Sequence, residues 1–103
     1  MREANTIIEL TVKNHPGAMS HITGLFSRRA FNLEGILCAP LPKKGRSRMY
    51  LLVRANGRLE QIVRQLEKLY DVIEVHERPD YDHRLFRKLH DLIKMKQEAA
   101  NGQ

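Results

Sequence analysis

An asparagine, two histidines and a serine lie close together in the stretch NHPGAMSHI, residues 14–22. Catalysis by a serine nucleophile requires a base within hydrogen-bond reach. Ser20 and His21 are adjacent, and adjacent side chains on a helix point in different directions. The sequence also lacks the phosphate-binding motifs G-x-x-x-x-G-K-[ST] and G-x-G-x-x-G. We therefore expect a protein that is not an enzyme by itself.

The histidines and the cysteine do not form a pattern that is typical of a metal site. His15 and His21 are too isolated for a ligand pair, and His83 and His90 share a helix face without a nearby carboxylate cluster. We expect solvated histidines and no metal. Cys38 is the one cysteine of the sequence, which excludes an internal disulfide. We expect it to be a packed strand residue.

The stretch NHPGAMSHI has the pattern of a strand end, followed by a sharp turn and the beginning of a helix. The first N–H groups of a helix lack intrahelical partners and attract anions such as carboxylates. One interpretation is therefore an acidic ligand at residues 14–22. The other is structural, because Pro16 suits the first helical turn and Gly17 eases the corner.

Size and charge narrow the class of protein. The 103 residues are enough for one small domain, and a core of this size is often completed by a second copy. The sequence contains no apolar run of the length that a membrane span needs, and its beginning lacks a signal-peptide core. We expect a cytoplasmic protein. The net charge of +6 suits nucleic acid or an acidic protein partner.

The hydrophobic periodicity predicts alternating strands and helices. Period-two alternation indicates strands, and apolar residues three and four apart indicate helices. Gly35 lies inside a predicted strand and suggests a bulge or a close approach by another group. The predicted strands are 6–13, 31–41, 49–54 and 71–77, the predicted helices are 16–29 and 59–70, and a basic turn, KKGRSR, covers 43–48.

The order β-α-β-β-α-β predicts an α+β, ferredoxin-like fold, in which two helices cover one face of an antiparallel four-stranded sheet. After it, Leu85, Leu89, Leu92 and Ile93 form one stripe with Phe86 beside it. This spacing predicts a third helix that packs on the domain or on a partner, with fraying last residues. We expect a domain over 1–79 and a helical extension over 80–103.

RNA-recognition modules share this order of elements, and their central strands carry aromatic residues that stack on bases. In the corresponding stretch, KGRSRMYLLV, Arg46 and Arg48 stand where aromatic residues are expected, and only Tyr50 is nearby. RNA binding is therefore a minor alternative. The basic residues of the turn suit a solvated turn or contact with an acidic protein surface.

Residues 9–41 resemble the small regulatory subunits of acetohydroxyacid synthase (acetolactate synthase), which contain an amino-acid-sensing ACT domain. The resemblance is carried by N-H-P-G, G-L-F-S-R-R and F-N-L-E-G-I, and it continues through RLEQIVRQLEKLYDVIEV. It covers roughly residues 6–77. The chain is most similar to the short, single-domain type, that of isozyme I.

The resemblance implies a homodimer with a continuous sheet and with valine bound at the interface. The N–H groups of Gly17, Ala18 and Met19 would hold the carboxylate of valine, and the Asn14 side chain would bind the same ligand. Asn32 and Leu33 of the neighbouring subunit would offer backbone groups to the ammonium, and Ala39 would help to size the pocket. From the residues alone, a structural role is favoured for both asparagines, with Asn14 stabilising the turn and Asn32 starting a strand.

The resemblance also implies a function. The chain would be a non-catalytic regulatory subunit that binds the large catalytic subunit, activates it and confers feedback inhibition by valine in branched-chain amino acid biosynthesis. It would hold no cofactor itself, with thiamine diphosphate, Mg²⁺ and FAD on the catalytic subunit. The basic turn and the long tail depart from the family, and we expect them to contact the catalytic subunit. The alternatives are a stand-alone ACT-domain sensor of another amino acid and a basic RNA-binding domain.

Overall fold

The computed structural model describes residues 5–54, 57–81, 84, 86, 88, 89 and 91–95. Their secondary structure confirms the predicted order β-α-β-β-α-β. The elements are β1 (Asn5–Lys13), α1 (Ala18–Arg28), β2 (Leu33–Pro40), β3 (Arg46–Arg54), α2 (Leu59–Glu67) and β4 (Val72–Arg78).

The four strands form one antiparallel sheet in the order β2-β3-β1-β4, which confirms the ferredoxin-like arrangement. In β1, Ile8, Leu10 and Val12 alternate with polar residues and face α1 and α2, because residues two apart share a face of a strand. The hydrophobic core lies between this face and the two helices. Its other buried members are Ile22, Leu25, Phe26, Phe31, Met49, Leu51, Val53, Leu59, Ile62 and Leu66.

β3 begins earlier than the basic turn predicts. Arg46 and Arg48 pair with Lys13 and Thr11 of β1, so the predicted turn at 43–48 and strand start at 49 are wrong. The alternation explains this, because Ser47 is buried like Met49, while Arg46 and Arg48 alternate with them along the strand and point to the other face. Gly45, with φ of 80°, makes the turn.

The second face of the sheet is also covered. The Glu9 carboxylate lies on this face with its side chain only 7% exposed. It accepts hydrogen bonds from the Tyr81 hydroxyl at 3.1 Å and from Arg78 Nη2 at 3.3 Å, and it lies 3.6 Å from Arg48 Nη1. The hydrogen bond to Glu9, with burial as the second cause, raises the pKa of Tyr81. The residues that follow β4 are therefore fastened to the sheet.

Gly35 confirms both expectations for its position. The pairing of β2 with β3 shifts register between Leu33 and Gly35, and a Cβ on Gly35 would lie 2.9 Å from Cδ1 of Phe86. The Phe86 ring therefore packs on the strand where a side chain is missing. This close approach joins the C-terminal segment to β2.

The predicted third helix lies in the segment that the structure describes in part. Phe86, Lys88, Leu89 and 91–95 are helical. Leu92 and Ile93 are more than half exposed, so their side chains do not pack on this domain, whereas Phe86 is partly buried. Leu85, His83, His90 and the last residues, 96–103, lie outside the described residues, and the division at residue 79 stays a prediction. No described helix has the length and apolar character for crossing a membrane.

Candidate functional site

The corner between β1 and α1, residues 14–19, is built around a glycine. Gly17 has φ of 128° and ψ of −15°, a conformation that residues with a Cβ rarely adopt. It is the N-cap of α1 and makes no side-chain capping hydrogen bond. Pro16 precedes this cap, so its predicted place in the first helical turn is wrong. Within the part of the chain that the structure describes, the first N–H groups of α1 therefore have no side-chain cap.

Backbone hydrogen bonds at this corner involve some of the predicted donors. The Ala18 N–H donates to the His15 carbonyl at 3.2 Å. Among the described residues, no acceptor is found for the N–H groups of Gly17 and Met19. These two N–H groups can donate hydrogen bonds to an anion directly, while the Ala18 N–H would first have to release the His15 carbonyl.

A small cavity of about 120 Å³ opens beside the corner. Ligand pockets for drug-sized molecules are roughly 300–1,000 Å³, so this space suits a side chain of a few carbon atoms. Three predicted site residues line it, namely Asn14, Ala18 and Met19. The remaining lining residues are Val12, Lys13, His15, Cys38, Ser47 and Met49.

Cys38 was expected to be packed, and that expectation is wrong. Cys38 is exposed and free, although it lies within β2. The reason is that β2 is at the edge of the sheet, where one side of the strand has no neighbour in this chain. Ala39 follows it in β2, is exposed and pairs with Arg48 of β3.

The remaining predicted residues lie at the other end of β2. Leu33 pairs with Val53, and the Asn32 amide donates to the Glu34 carboxylate at 3.3 Å. A strand rises about 3.3 Å per residue, which puts Leu33 roughly 20 Å from Ala39. One copy of the chain therefore brings Asn14, Gly17, Ala18 and Met19 together but keeps Asn32 and Leu33 away.

A buried carboxylate, which no sequence pattern indicated, lies behind the corner. Asp71, with a side chain only 2% exposed, binds His15 Nε2 through Oδ1 and His21 Nδ1, at 2.5 Å, through Oδ2. Both histidines are exposed, which agrees with the expectation of solvated histidines, but each of them also binds Asp71. Asp71 lies 56 positions after His15 and 50 positions after His21 in the sequence, so no local spacing could reveal the contact.

The Asp71 pKa responds to these partners. The hydrogen bond from His21 lowers it, burial opposes that effect, and the hydrogen bond and charge of His15 add to the lowering. Since the folded pKa lies below the ordinary value of 3.8, the pairing stabilises the fold above that pH. The stabilisation is lost as the pH falls through the lowered folded pKa.

Other chemistry is less well supported by the geometry. Among the described residues, no group of three or more His, Cys, Asp and Glu side chains could hold a metal ion. His76 contacts Glu74 at 3.3 Å on the surface. A larger cavity, of about 680 Å³, lies between the end of α1 and α2, where Arg28, Arg29 and Lys68 line it, but it contains none of the predicted site residues.

The fold and the corner define the class. The sheet order β2-β3-β1-β4 with two helices on one face is ferredoxin-like, and Gly17 forms the corner between β1 and α1. Residues 8–74 match the sequence pattern of one family, the AHAS small subunit-like ACT domain.

Individual relatives agree with this pattern. The acetolactate synthase isozyme 1 small subunit of Escherichia coli (strain K12) is 52% identical over 85 residues, which are 82% of this chain and 88% of that protein. The acetolactate synthase small subunit of Mycobacterium bovis is 39% identical over 95 residues, 91% of this chain and 55% of that protein.

Solved structures agree as well. The acetolactate synthase small subunit from Thermotoga maritima superimposes with a TM-score of 0.66 at 32% identity, over 72% of this chain and 47% of that one. The ACT domain from GTP pyrophosphokinase of Chlorobium tepidum, at 21% identity and a TM-score of 0.65, shares the fold. The chain belongs to the family of acetohydroxyacid synthase (acetolactate synthase) small subunits with an ACT domain.

Proposed function

We propose that this chain is the regulatory subunit of an acetohydroxyacid synthase, that it activates the large catalytic subunit, and that it confers feedback inhibition by valine. The observation that carries the proposal is the open glycine corner with its small cavity, lined by Asn14, Ala18 and Met19. Thiamine diphosphate, Mg²⁺ and FAD belong to the catalytic subunit in this proposal, and the complex is cytoplasmic.

The corner supplies what the carboxylate end of an amino acid needs. The N–H groups of Gly17 and Met19 are available to the carboxylate, and the helix end adds partial positive charge. The Asn14 side chain is exposed at the cavity and offers both a donor and an acceptor. The cavity volume favours a small aliphatic side chain such as that of valine.

The ammonium end requires a second copy of the chain. β2 is an edge strand, and an edge strand presents unpaired N–H and C=O groups to another strand. Antiparallel pairing of two β2 strands about their middle would set Leu33 of one copy opposite Pro40 of the other. Asn32 and Leu33 of the second copy would then lie next to the corner of the first copy. Within one chain, Leu33 is roughly 20 Å from Ala39, so the second copy is needed to bring these residues to the site.

Feedback inhibition also requires that the affinity for valine differ between the active and the inhibited arrangement of the complex. Valine shifts the complex toward inhibition only if it binds the inhibited arrangement more tightly than the active one. A site shared by two copies provides such a difference, because any change in how the copies pair changes the site.

The experiment is a calorimetric titration of the chain with L-valine, with leucine, serine and D-valine as comparisons and with and without the catalytic subunit. Asn14→Ala should weaken valine binding about tenfold, because a hydrogen bond to a charged group is lost. Asn5→Ala is the matched control, since Asn5 lies at the opposite end of β1. Sedimentation should give the mass of a dimer.

Selective L-valine binding that is lost in Asn14→Ala and kept in Asn5→Ala supports the proposal. Absence of valine binding in the presence of the catalytic subunit contradicts it. Tighter binding of another amino acid would favour a sensor of that amino acid.

Tyr50 packs near Tyr81, with 6.4 Å between the ring centroids, so this aromatic ring is not presented for stacking on bases.

A further inference from the structure

The two histidines of the corner converge on one buried group. His15 and His21 stand on either side of Gly17, and each binds one oxygen of the Asp71 carboxylate. Resting on the proposed amino-acid site, we propose that Asp71 is a positioning residue: it holds both histidines, and with them the Gly17 corner, in the geometry that receives the effector carboxylate, and it makes effector affinity depend on pH.

Asp71 acts through the corner rather than on the ligand. Its side chain is 2% exposed and both of its oxygens are occupied, so it cannot reach a molecule in the cavity. A carboxylate would also repel the carboxylate of an amino acid. The carbonyl of Asp71 accepts a hydrogen bond from the Lys13 N–H at 2.8 Å. Asp71 is thereby joined to the end of β1 and to both sides of the glycine.

The backbone groups of both histidines also form hydrogen bonds at the corner. The carbonyl of His15 accepts the Ala18 N–H, and the N–H of His21 donates to the Gly17 carbonyl at 2.9 Å. The His21 ring also packs at the glycine, since its Cε1 lies 3.8 Å from where a Cβ on Gly17 would be. If either imidazole moved, the donors that would face the effector would move with it.

Protonation changes the strength of this arrangement. Histidine side chains ordinarily gain a proton between pH 8 and pH 5, and a hydrogen bond from a charged donor to a carboxylate is about twice as strong as a neutral one. Lys13 is also charged, and its Nζ lies 3.5 Å from the centroid of the Tyr70 ring. Lys44 and Arg46 flank Gly45, whose carbonyl accepts the Asn14 N–H at 2.9 Å. The hydrogen bond from His21 lowers the pKa of Asp71, burial opposes this effect, and His15 adds to the lowering. Protonated histidines therefore hold the corner more firmly through Asp71.

The test is a calorimetric titration of the full chain with L-valine at pH 6.0 and pH 7.5, together with the catalytic subunit. For the wild type we expect binding about threefold tighter at pH 6.0. Asp71→Asn should weaken binding about tenfold at pH 6.0 and remove the pH dependence. Glu74→Gln is the matched control, because it alters the exposed Glu74–His76 pair and should leave affinity and pH dependence unchanged.

A second pair of substitutions separates position from charge. In His15→Gln with His21→Asn, the amide nitrogens replace Nε2 and Nδ1 as donors but do not titrate. This double variant should bind valine at pH 7.5 within about twofold of the wild type, with no tightening at pH 6.0. If Asp71→Asn does not fold, this double variant tests the proposed role of the two histidines instead. Both histidines are at least 40% exposed, so their replacement disturbs little of the core.

Wild-type affinity and pH dependence in Asp71→Asn, or in the double variant if Asp71→Asn does not fold, would overturn the inference. If the wild type binds no valine at either pH, the proposed function fails, and the inference is then decided without ligand. In that case ¹⁵N relaxation of the Gly17 and Ala18 amides at pH 6.0 should show a rigid corner in the wild type and a mobile one in Asp71→Asn. Equal order parameters in the two proteins would overturn it.

Discussion

At the residue scale, Gly17 sets the geometry of the corner. Its φ of 128° turns the chain from β1 into α1 without a capping side chain, and this leaves donors for a ligand. A side chain at this position would be strained even though the space around it is open, with His21 Cε1 at 3.8 Å as the nearest atom. The cost of a Cβ here is therefore a backbone cost rather than a clash.

We predict that Gly17→Ala lowers the free energy of unfolding by about 1–3 kcal/mol, the usual strain of a non-glycine residue in such a conformation. The control is Gly24→Ala in the middle of α1, where alanine favours the helix by about 1 kcal/mol and the nearest atom is the flexible end of Arg28, 3.1 Å away. Urea denaturation measures both. Equal effects of the two substitutions would contradict the importance of the left-handed turn.

The contacts of His15 and His21 could not be predicted from residue types and spacing. The pattern predicted His15 and His21 as solvated because neither has a ligand partner nearby in the chain. Their partner, Asp71, lies immediately before β4, and the pairing of β1 with β4 brings it behind the corner. Only the register of two strands joins these groups.

At the scale of elements, the sheet is covered on both faces, by α1 and α2 on one and by the segment after β4 on the other. The Phe86 ring over Gly35 and the Tyr81 hydroxyl on the buried Glu9 fasten that segment. The predicted packing of the third helix is thus found at Phe86, while Leu92 and Ile93 point away.

We predict that Gly35→Val loosens the C-terminal segment, because its Cβ would lie 2.9 Å from the Phe86 ring. Overpacking of this kind costs about 1–3 kcal/mol of the free energy of unfolding. The measurement is the rate of tryptic cleavage after Arg84 and Lys88, which should rise. Gly57→Ala is the control, since a Cβ there meets nothing within 4 Å. An unchanged cleavage rate in Gly35→Val would contradict the contact.

At the scale of the whole molecule, the basic residues that give the chain its net charge of +6 differ in their surroundings. Arg48 and Arg78 lie against Glu9, and Arg54 lies 3.1 Å from Glu34. Lys43 and Lys44, in contrast, are exposed at the turn between β2 and β3. The basic turn that was proposed to contact the catalytic subunit is therefore reduced to these two lysines.

We predict that Lys43→Glu with Lys44→Glu raises the concentration of this chain needed for half-maximal activation of the catalytic subunit by about three- to tenfold, because exposed ion pairs each contribute little. The effect should shrink at high salt. Lys68→Glu, on the exposed end of α2, is the control. A larger effect of Lys68→Glu would move the docking surface to the cleft between α1 and α2.

The sequence by itself determined the order of elements, the core faces of β1 and α2 and the position of the glycine corner. These follow from hydrophobic period and from turn residues, which are local properties. Only the tertiary structure decided that Arg46 and Arg48 lie in β3, that Cys38 is exposed, that Asp71 binds His15 and His21, and that Asn32 lies far from Asn14 in one chain. Each of these depends on which strands are neighbours and which is at the edge, and pairing between distant segments leaves no periodic trace in the sequence.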